Sequence, residues 1–174
     1  VDRLRQLDDP AARPILKAST GIHIILSQRF APPEAGLMIP KTEDGRVLFI
    51  LPWQGRTLIG TTEAASDIVD HPPAKEEEIE YLLRHINRYF NMAVTRGDVS
   101  SVWSGLRPLV QAPDTTNTAQ LVREHLLLQS PSGLLSMAGG KWTSYRKMAE
   151  EAVDQAIVTG ELEPATPCRT RDLR

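Results

Sequence analysis

Gly139-Gly140-Lys141-Trp142-Thr143-Ser144-Tyr145-Arg146 is the stretch on which the reading of the chain turns. An apolar run, Leu134-Leu135-Ser136-Met137-Ala138, leads into it. Tyr145, Met148, Ala149, Ala152, Val153 and Ala156 follow at helical spacing, so the segment predicts a strand, a two-glycine turn and a helix start. Two glycines remove the Cβ atoms that would keep a flat or anionic group off the backbone, and the first amides of a helix have no intrahelical acceptor. Lys141 adds a positive charge, and Thr143 and Ser144 add hydroxyls. The plain alternative is a strand-to-helix corner whose glycines serve only tight packing and positive φ.

Working outward, the chain has 174 residues, 41% hydrophobic and 24% charged, which is enough apolar material for one sizeable core. A formal net charge of -2, a pI of about 6.1 and scattered Lys and Arg disfavour a nucleic-acid partner. No apolar run approaches the roughly 18 residues of a membrane span, and Val1-Asp2-Arg3-Leu4-Arg5 lacks the apolar region of a signal peptide. The single cysteine, Cys168, has no internal disulfide partner and sits in a Pro-rich tail, where no catalytic thiol is expected; it fits a reducing compartment.

In chain order, the segment to Pro14 is polar and predicts a linker or a frayed helix. With no initiator Met and a start in mid-pattern, the chain is expected to be cut from something longer. Gly21-Ile22-His23-Ile24-Ile25-Leu26 predicts a buried strand, in which His23 and Ile25 face away from Ile22, Ile24 and Leu26. Gly36 to Pro40, Arg46 to Pro52 and Thr57 to Thr62, separated by tight-turn signals, predict an antiparallel meander. After Pro72-Pro73, Ile79, Leu82, Leu83, Ile86 and Phe90 mark an amphipathic helix, with Lys75-Glu76-Glu77-Glu78 as its solvated, dipole-favoured start. A strand-like run over Asp98 to Trp103 leads to Ser104-Gly105-Leu106-Arg107-Pro108-Leu109-Val110. Ala112 to Thr118 is expected to be an exposed loop, and Leu126 to Gln129 with Leu134 to Ala138 a final hairpin. The expected fold class is α+β: a mixed, mostly antiparallel sheet with flanking helices.

Three cations stand near element ends, Arg107, Arg123 and Lys141, a set able to clamp a phosphate but equally readable as surface charge. His23 is either a hydrogen-bonded core histidine or, if its face meets a ligand, a base or donor. His71 and His85 are expected at the surface, and the four histidines have no ligand spacing, so no metal site is expected. There is no Gly-x-Gly-x-x-Gly, no Gly-x-Ser-x-Gly and no His-Glu-x-x-His. Gly140-Lys141 is not a Walker loop, because Leu135 and Trp142 stand at its glycine and Ser/Thr positions.

Five motifs in order carry a family likeness: Ser19 to Leu26, Leu51-Pro52-Trp53, Ile59-Gly60-Thr61-Thr62-Glu63, Trp103 to Leu109, and Ala138 to Arg146. Together, over about residues 19 to 158, they resemble the FAD-dependent glycerol-3-phosphate dehydrogenases. The resemblance implies a fold like that of D-amino-acid oxidase. Residues 1-18 would then come from an upstream flavin domain, 19-138 form the substrate-binding sheet, 139-160 return to the flavin domain, and 161-174 lead toward a C-terminal domain. Gly139, Gly140, Lys141, Trp142 and Thr143 would lie along the flavin. His23, Thr61, Arg107, Arg123 and Lys141 would surround glycerol 3-phosphate: His23 and Arg107 toward the C2 hydroxyl, Lys141 between hydroxyls and flavin, Arg123 and Thr61 toward the phosphate. Implied too are hydride transfer to FAD giving dihydroxyacetone phosphate, electrons passing to a membrane quinone, and a cytoplasmic enzyme peripheral at the inner face of the cell membrane if bacterial. A homodimer is left open, as is an oxidase using oxygen, a related amine or hydroxy-acid oxidase, or a non-catalytic binding module. The family's Gly-x-Gly-x-x-Gly and its following arginine are absent here, so this piece is expected neither to hold FAD tightly nor to turn over alone.

Overall fold

A twelve-residue strand, Leu16–Ser27 (β1), is the spine of the larger sheet. Its β-branched alternation does what the pattern predicts: Ile22, Ile24 and Leu26 are fully buried, and His23 faces the other side. This computed structural model describes residues 1–31, 34–90, 93–111, 125–164 and 166–173. Leu37–Ile39 (β2), Leu48–Trp53 (β3) and Arg56–Gly60 (β4) form the expected antiparallel meander. Adding β1 and a short Ala64–Ser66 (β5) gives the order β2-β3-β4-β1-β5, and Ser101–Val110 (β6) also pairs with β1. Gln54 and Gly55 both take positive φ, 47° and 70°, which is the backbone a two-residue hairpin turn requires between β3 and β4. The peptide bond between Gly60 and Thr61 is cis.

The chain adds one helix before β1 and one after β5. Asp2–Asp8 (α1) realises the frayed-helix alternative for the opening segment, and its Asp2 carboxylate accepts the Ile15 and Leu16 amides at 3.0 Å. Glu76–Tyr89 (α2) lays Ile79, Leu82, Leu83 and Ile86 onto Ile22, Ile24, Leu26, Leu48, Ile50 and Ile59. Two expectations for this helix are corrected. His85 is not a surface residue: it is 2% exposed, its Nδ1 meets the Tyr81 carbonyl at 2.8 Å, and its ring lies 4.2 Å from that of Tyr81. Glu78 leaves the solvated acidic start and is buried, at 9% exposure, because Thr62 offers its hydroxyl to the carboxylate. Asp98 belongs to a 3₁₀ turn, Arg96–Asp98, and not to a strand, since its carboxylate closes back on the Thr95 amide and hydroxyl at 2.9 and 2.7 Å.

The chain divides into two compact units, Ala18–Arg107, and Val1–Lys17 with Pro108–Arg174. In the second, His125–Gln129 (β7) and Leu135–Gly139 (β8) make the predicted hairpin, and Tyr145–Thr159 (α3) follows. Its small core is Ile15, Val110 and Ala138, with Leu126 and Leu128 packed on them. Tyr145 and Val153, counted in the apolar pattern of this helix, are 61% and 57% exposed. The half-buried face runs instead through Met148, Ala152, Gln155 and Thr159, where Gln155 and Thr159 hydrogen-bond Gln129 at 3.1 and 3.0 Å. The expected loop at Ala112 to Thr118 lies outside the described residues.

Candidate functional site

In the unit Ala18–Arg107, three of the singled-out residues come together on one face of the sheet. His23 stands on β1 opposite Gly60 of β4, and Trp103, Gly105 and Arg107 alternate along β6. The His23 and Trp103 rings stack with centroids 5.7 Å apart and planes 18° from parallel. Arg107 is held from three sides. Its Nη2 donates to Thr61 Oγ1 at 2.7 Å and to the Thr62 carbonyl at 3.2 Å, and its Nη1 donates to the Thr20 carbonyl at 3.3 Å. Those bonds use three of the five guanidinium hydrogens, which leaves Nε–H and one Nη1–H free of described partners.

Glycines make the arrangement possible. A Cβ on Gly21 would lie 2.6 Å from both Arg107 Nη atoms, and one on Gly60 would lie 2.8 Å from Cγ and Nε2 of His23. Gly105 differs: a Cβ there meets nothing within 4 Å, so open space stands before it, between Trp103 and Arg107 in the strand's alternation. Burial lowers the His23 pKa below its ordinary value, and the Arg107 charge pushes in the same direction. His23 is consequently neutral at pH 7, with one ring nitrogen able to accept a proton while the other donates. A fixed cation with spare donors, a neutral imidazole and an open glycine floor can bind an oxyanion or hydroxyl and take a proton from it.

The glycine turn belongs to the other unit. Gly139 and Gly140 both take positive φ, 74° and 77°, after which Trp142–Ser144 forms one 3₁₀ turn running into α3. The missing Cβ of Gly140 serves internal packing, because one built there would sit 2.6 Å from Met148 Sδ and 3.1 Å from His125 Cβ. The packing alternative therefore accounts for this glycine. The outer side of the turn is open: Lys141, Trp142 and Thr143 are exposed, Trp142 to 86%, with the Trp142 ring stacked 5.6 Å from that of Tyr145. The leading amides of such a turn have no intrahelical acceptor, so its outward edge offers donors to a planar, electron-rich ligand. Ser144 Oγ donates to the Lys141 carbonyl at 2.9 Å and fixes the corner. Beside it, His125 pairs with Glu151, which lowers the Glu151 pKa through the hydrogen bond and the charge. Arg123 lies outside the described residues.

Sequence reasoning quoted Thr20, Gly21, Gly60, Thr62 and Trp103 within its motifs but gave them no part in holding these groups. Gly21 and Gly60 carried a usable signal, since glycine inside a strand marks close approach of another group. Thr20 and Thr62 act on Arg107 through backbone carbonyls, which no side-chain pattern reports.

Residues 1–146 match the family described as FAD dependent oxidoreductase, DAO. The chain is 44% identical over 173 residues to the mitochondrial glycerol-3-phosphate dehydrogenase SDP6 of Arabidopsis thaliana, covering 99% of this chain and 28% of that protein. It is 43% identical to the mitochondrial glycerol-3-phosphate dehydrogenase of Homo sapiens, covering 97% of this chain and 23% of that one. The crystal structure of the glycerol-3-phosphate dehydrogenase from Bacillus halodurans complexed with FAD superposes with a TM-score of 0.76 at 35% identity, over 95% of this chain and 32% of that one. The chain thus spans about a quarter of the length of these curated relatives. The chain belongs to the family of FAD dependent oxidoreductases.

Proposed function

We propose that this chain is the substrate-binding portion, with one flavin-facing turn, of a glycerol-3-phosphate dehydrogenase that oxidises sn-glycerol 3-phosphate to dihydroxyacetone phosphate. The observation that carries the reading is Arg107, pinned by Thr20, Thr61 and Thr62 beside a neutral His23 over a floor of glycines. In this reading the free Arg107 donors hold a substrate oxygen at C2, Thr61 and Arg123 serve the phosphate, and His23 takes the hydroxyl proton as C2 becomes a ketone. Lys141 adds charge on the turn and is read as serving substrate hydroxyls and cofactor.

The exposed turn at Gly139, Gly140, Lys141, Trp142 and Thr143 suits FAD, since its open side presents amides and the stacked Trp142–Tyr145 pair. When bound there, FAD supplies the acceptor for the hydride that leaves C2. Outward amides and the Lys141 cation favour negative charge at that edge, which is how a backbone tunes such a cofactor. The electron acceptor beyond it is read as a membrane quinone and the enzyme as peripheral to a membrane, cytoplasmic on the inner face if bacterial. The Arabidopsis and human relatives are named mitochondrial. Among the described residues no helix is long and apolar enough to cross a membrane. Comparing oxygen with a soluble quinone analogue in the longer protein decides the acceptor.

Calorimetric titration of the chain with glycerol 3-phosphate tests the substrate. Arg107→Ala is expected to weaken binding by roughly ten- to a hundredfold, the worth of a lost hydrogen bond to a charged group; Arg123→Ala is expected to weaken it as well. Affinity indifferent to both substitutions would mean that these cations are surface charges on a non-catalytic module.

A further inference from the structure

We infer that Glu78, which takes no part in the proposed chemistry, is a positioning residue for Arg107, acting through Thr62. The inference rests on reading Arg107 as a substrate-binding group. Glu78 is buried at the start of α2, where a carboxylate is costly unless its oxygens are hydrogen-bonded. Oε1 accepts the Thr62 hydroxyl at 2.5 Å, and Oε2 faces the Lys75 amide at 3.4 Å.

The direction of these bonds is forced. The Ile22 amide can only donate and a carboxylate can only accept, so Thr62 Oγ1 accepts from Ile22 at 2.9 Å and gives its own proton to Glu78. Thr62 is thereby clamped between β1 and α2. Its carbonyl accepts Arg107 Nη2 at 3.2 Å and the Thr61 hydroxyl at 3.1 Å, and Thr61 Oγ1 in turn accepts Nη2 at 2.7 Å. Both oxygens that hold Nη2 thus sit on residues 61 and 62, which follow β4 without strand pairing of their own. The Glu78 carboxylate sets that segment, and the segment sets the guanidinium.

A carboxylate suits the place because the groups facing its two oxygens, the Thr62 hydroxyl and the Lys75 amide, both donate to it. A glutamine can still serve Thr62, through its oxygen or by donating to the second lone pair of Oγ1, so removing the contact takes Glu78→Ala. Hydrophobic packing does not call for it, since Ile79, Leu82 and Leu83 seat this helix on the core.

The test reads Arg107 directly. In ¹⁵N NMR, the Arg107 guanidinium hydrogens of the wild-type chain are expected to exchange slowly with water. Glu78→Ala and Thr62→Val are each expected to speed that exchange by about tenfold or more while the β4 amides and the β1 amides other than Ile22, whose acceptor Thr62→Val removes, keep their protection. Thr62→Ser keeps the hydroxyl and is expected to stay near wild type. An unchanged Arg107 rate in Glu78→Ala overturns the inference, and if that variant unfolds, Thr62→Val alone decides it. The same variants are then titrated with glycerol 3-phosphate. The dissociation constant is expected to rise about tenfold on Thr62→Val, yet by under about twofold when Thr62→Val is added to Arg107→Ala, the non-additivity of a coupled pair. Equal losses in both backgrounds mean a general structural defect and also overturn it. If Arg107 is mobilised but Arg107→Ala leaves glycerol 3-phosphate binding intact, the positioning holds and the substrate reading fails.

Discussion

Gly60 and Gly105 lie on the same sheet yet carry opposite consequences for a methyl group. At Gly60 an added Cβ runs into the His23 ring, so Gly60→Ala must push the imidazole off its stack on Trp103 or shift β4. Overpacking of this kind costs roughly 1–3 kcal/mol, measurable by urea unfolding. At Gly105 nothing is within 4 Å, so Gly105→Ala is expected to leave stability within about 0.5 kcal/mol. If the open space there receives the ligand, the same methyl lowers affinity for glycerol 3-phosphate. A Gly105→Ala variant that binds as well as wild type places the ligand elsewhere. His23 gives a second prediction at this scale. Its folded pKa lies below 6.5, so the unfolded chain binds more protons as pH falls through that region. The stabilisation tied to the neutral ring is fully present above about 6.5, the unfolded value, and is lost as pH drops toward the folded pKa. An NMR titration should find the His23 midpoint below that of an unfolded peptide, and Arg107→Ala should move it upward by removing the nearby charge. A His23 midpoint at or above the unfolded value would contradict the burial that Trp103 and Gly60 impose.

Among elements, the strand-turn-helix corner from β8 to α3 is where geometry and purpose separate. Gly140→Ala places a side chain at φ +77° and drives its Cβ toward Met148 Sδ. The left-handed conformation alone costs roughly 1–2 kcal/mol, so thermal unfolding should show the loss with no ligand present. The elements themselves were largely legible in the sequence. The period-2 run of β1, the turn glycines of the meander and the helical spacing of α2 are local signals, and each element formed where its signal stood. Most of what escaped depends on partners far away in sequence. Glu78 read as exterior from its own helix, because burial there is decided by Thr62 across the fold, whereas the His85 partner, the Tyr81 carbonyl, lies one turn back on the same helix. The short β5 carries too few residues for a pattern and exists through its pairing with β1. Of the candidate site, His23, Thr61 and Arg107 were found from motifs and do converge, whereas the carbonyls that aim Arg107 left no trace in residue type.

At the scale of the whole molecule, the two units differ in how much they bury, and that sets how firmly each holds its functional groups. In Ala18–Arg107 the described core runs from Ile22 through Phe30, Leu48 and Ile59 to Val94, with α2 sealed onto the sheet by four aliphatic side chains. Among its described residues the other unit buries Ile15, Val110 and Ala138 as its core cluster, and α3 has no fully buried residue. Opening free energy follows buried apolar contact, so amides of Ile22 to Leu26, of β4 and of α2 are expected to exchange at or near the global limit. Those of β7, β8 and α3 are expected to exchange well before them. Hydrogen exchange read by mass spectrometry on peptides from each element checks this, and equal protection in β8 and β4 would refute it. The consequence reaches function. Arg107 and His23 stand on the unit with the larger described core, which suits the aiming role proposed for them. The turn at Gly139 to Thr143 stands on the softer one, where a bound cofactor would add protection by mass action. The increase on ligand binding should therefore be largest in β8 and the first turn of α3, and smallest in β1, which has little opening left to suppress.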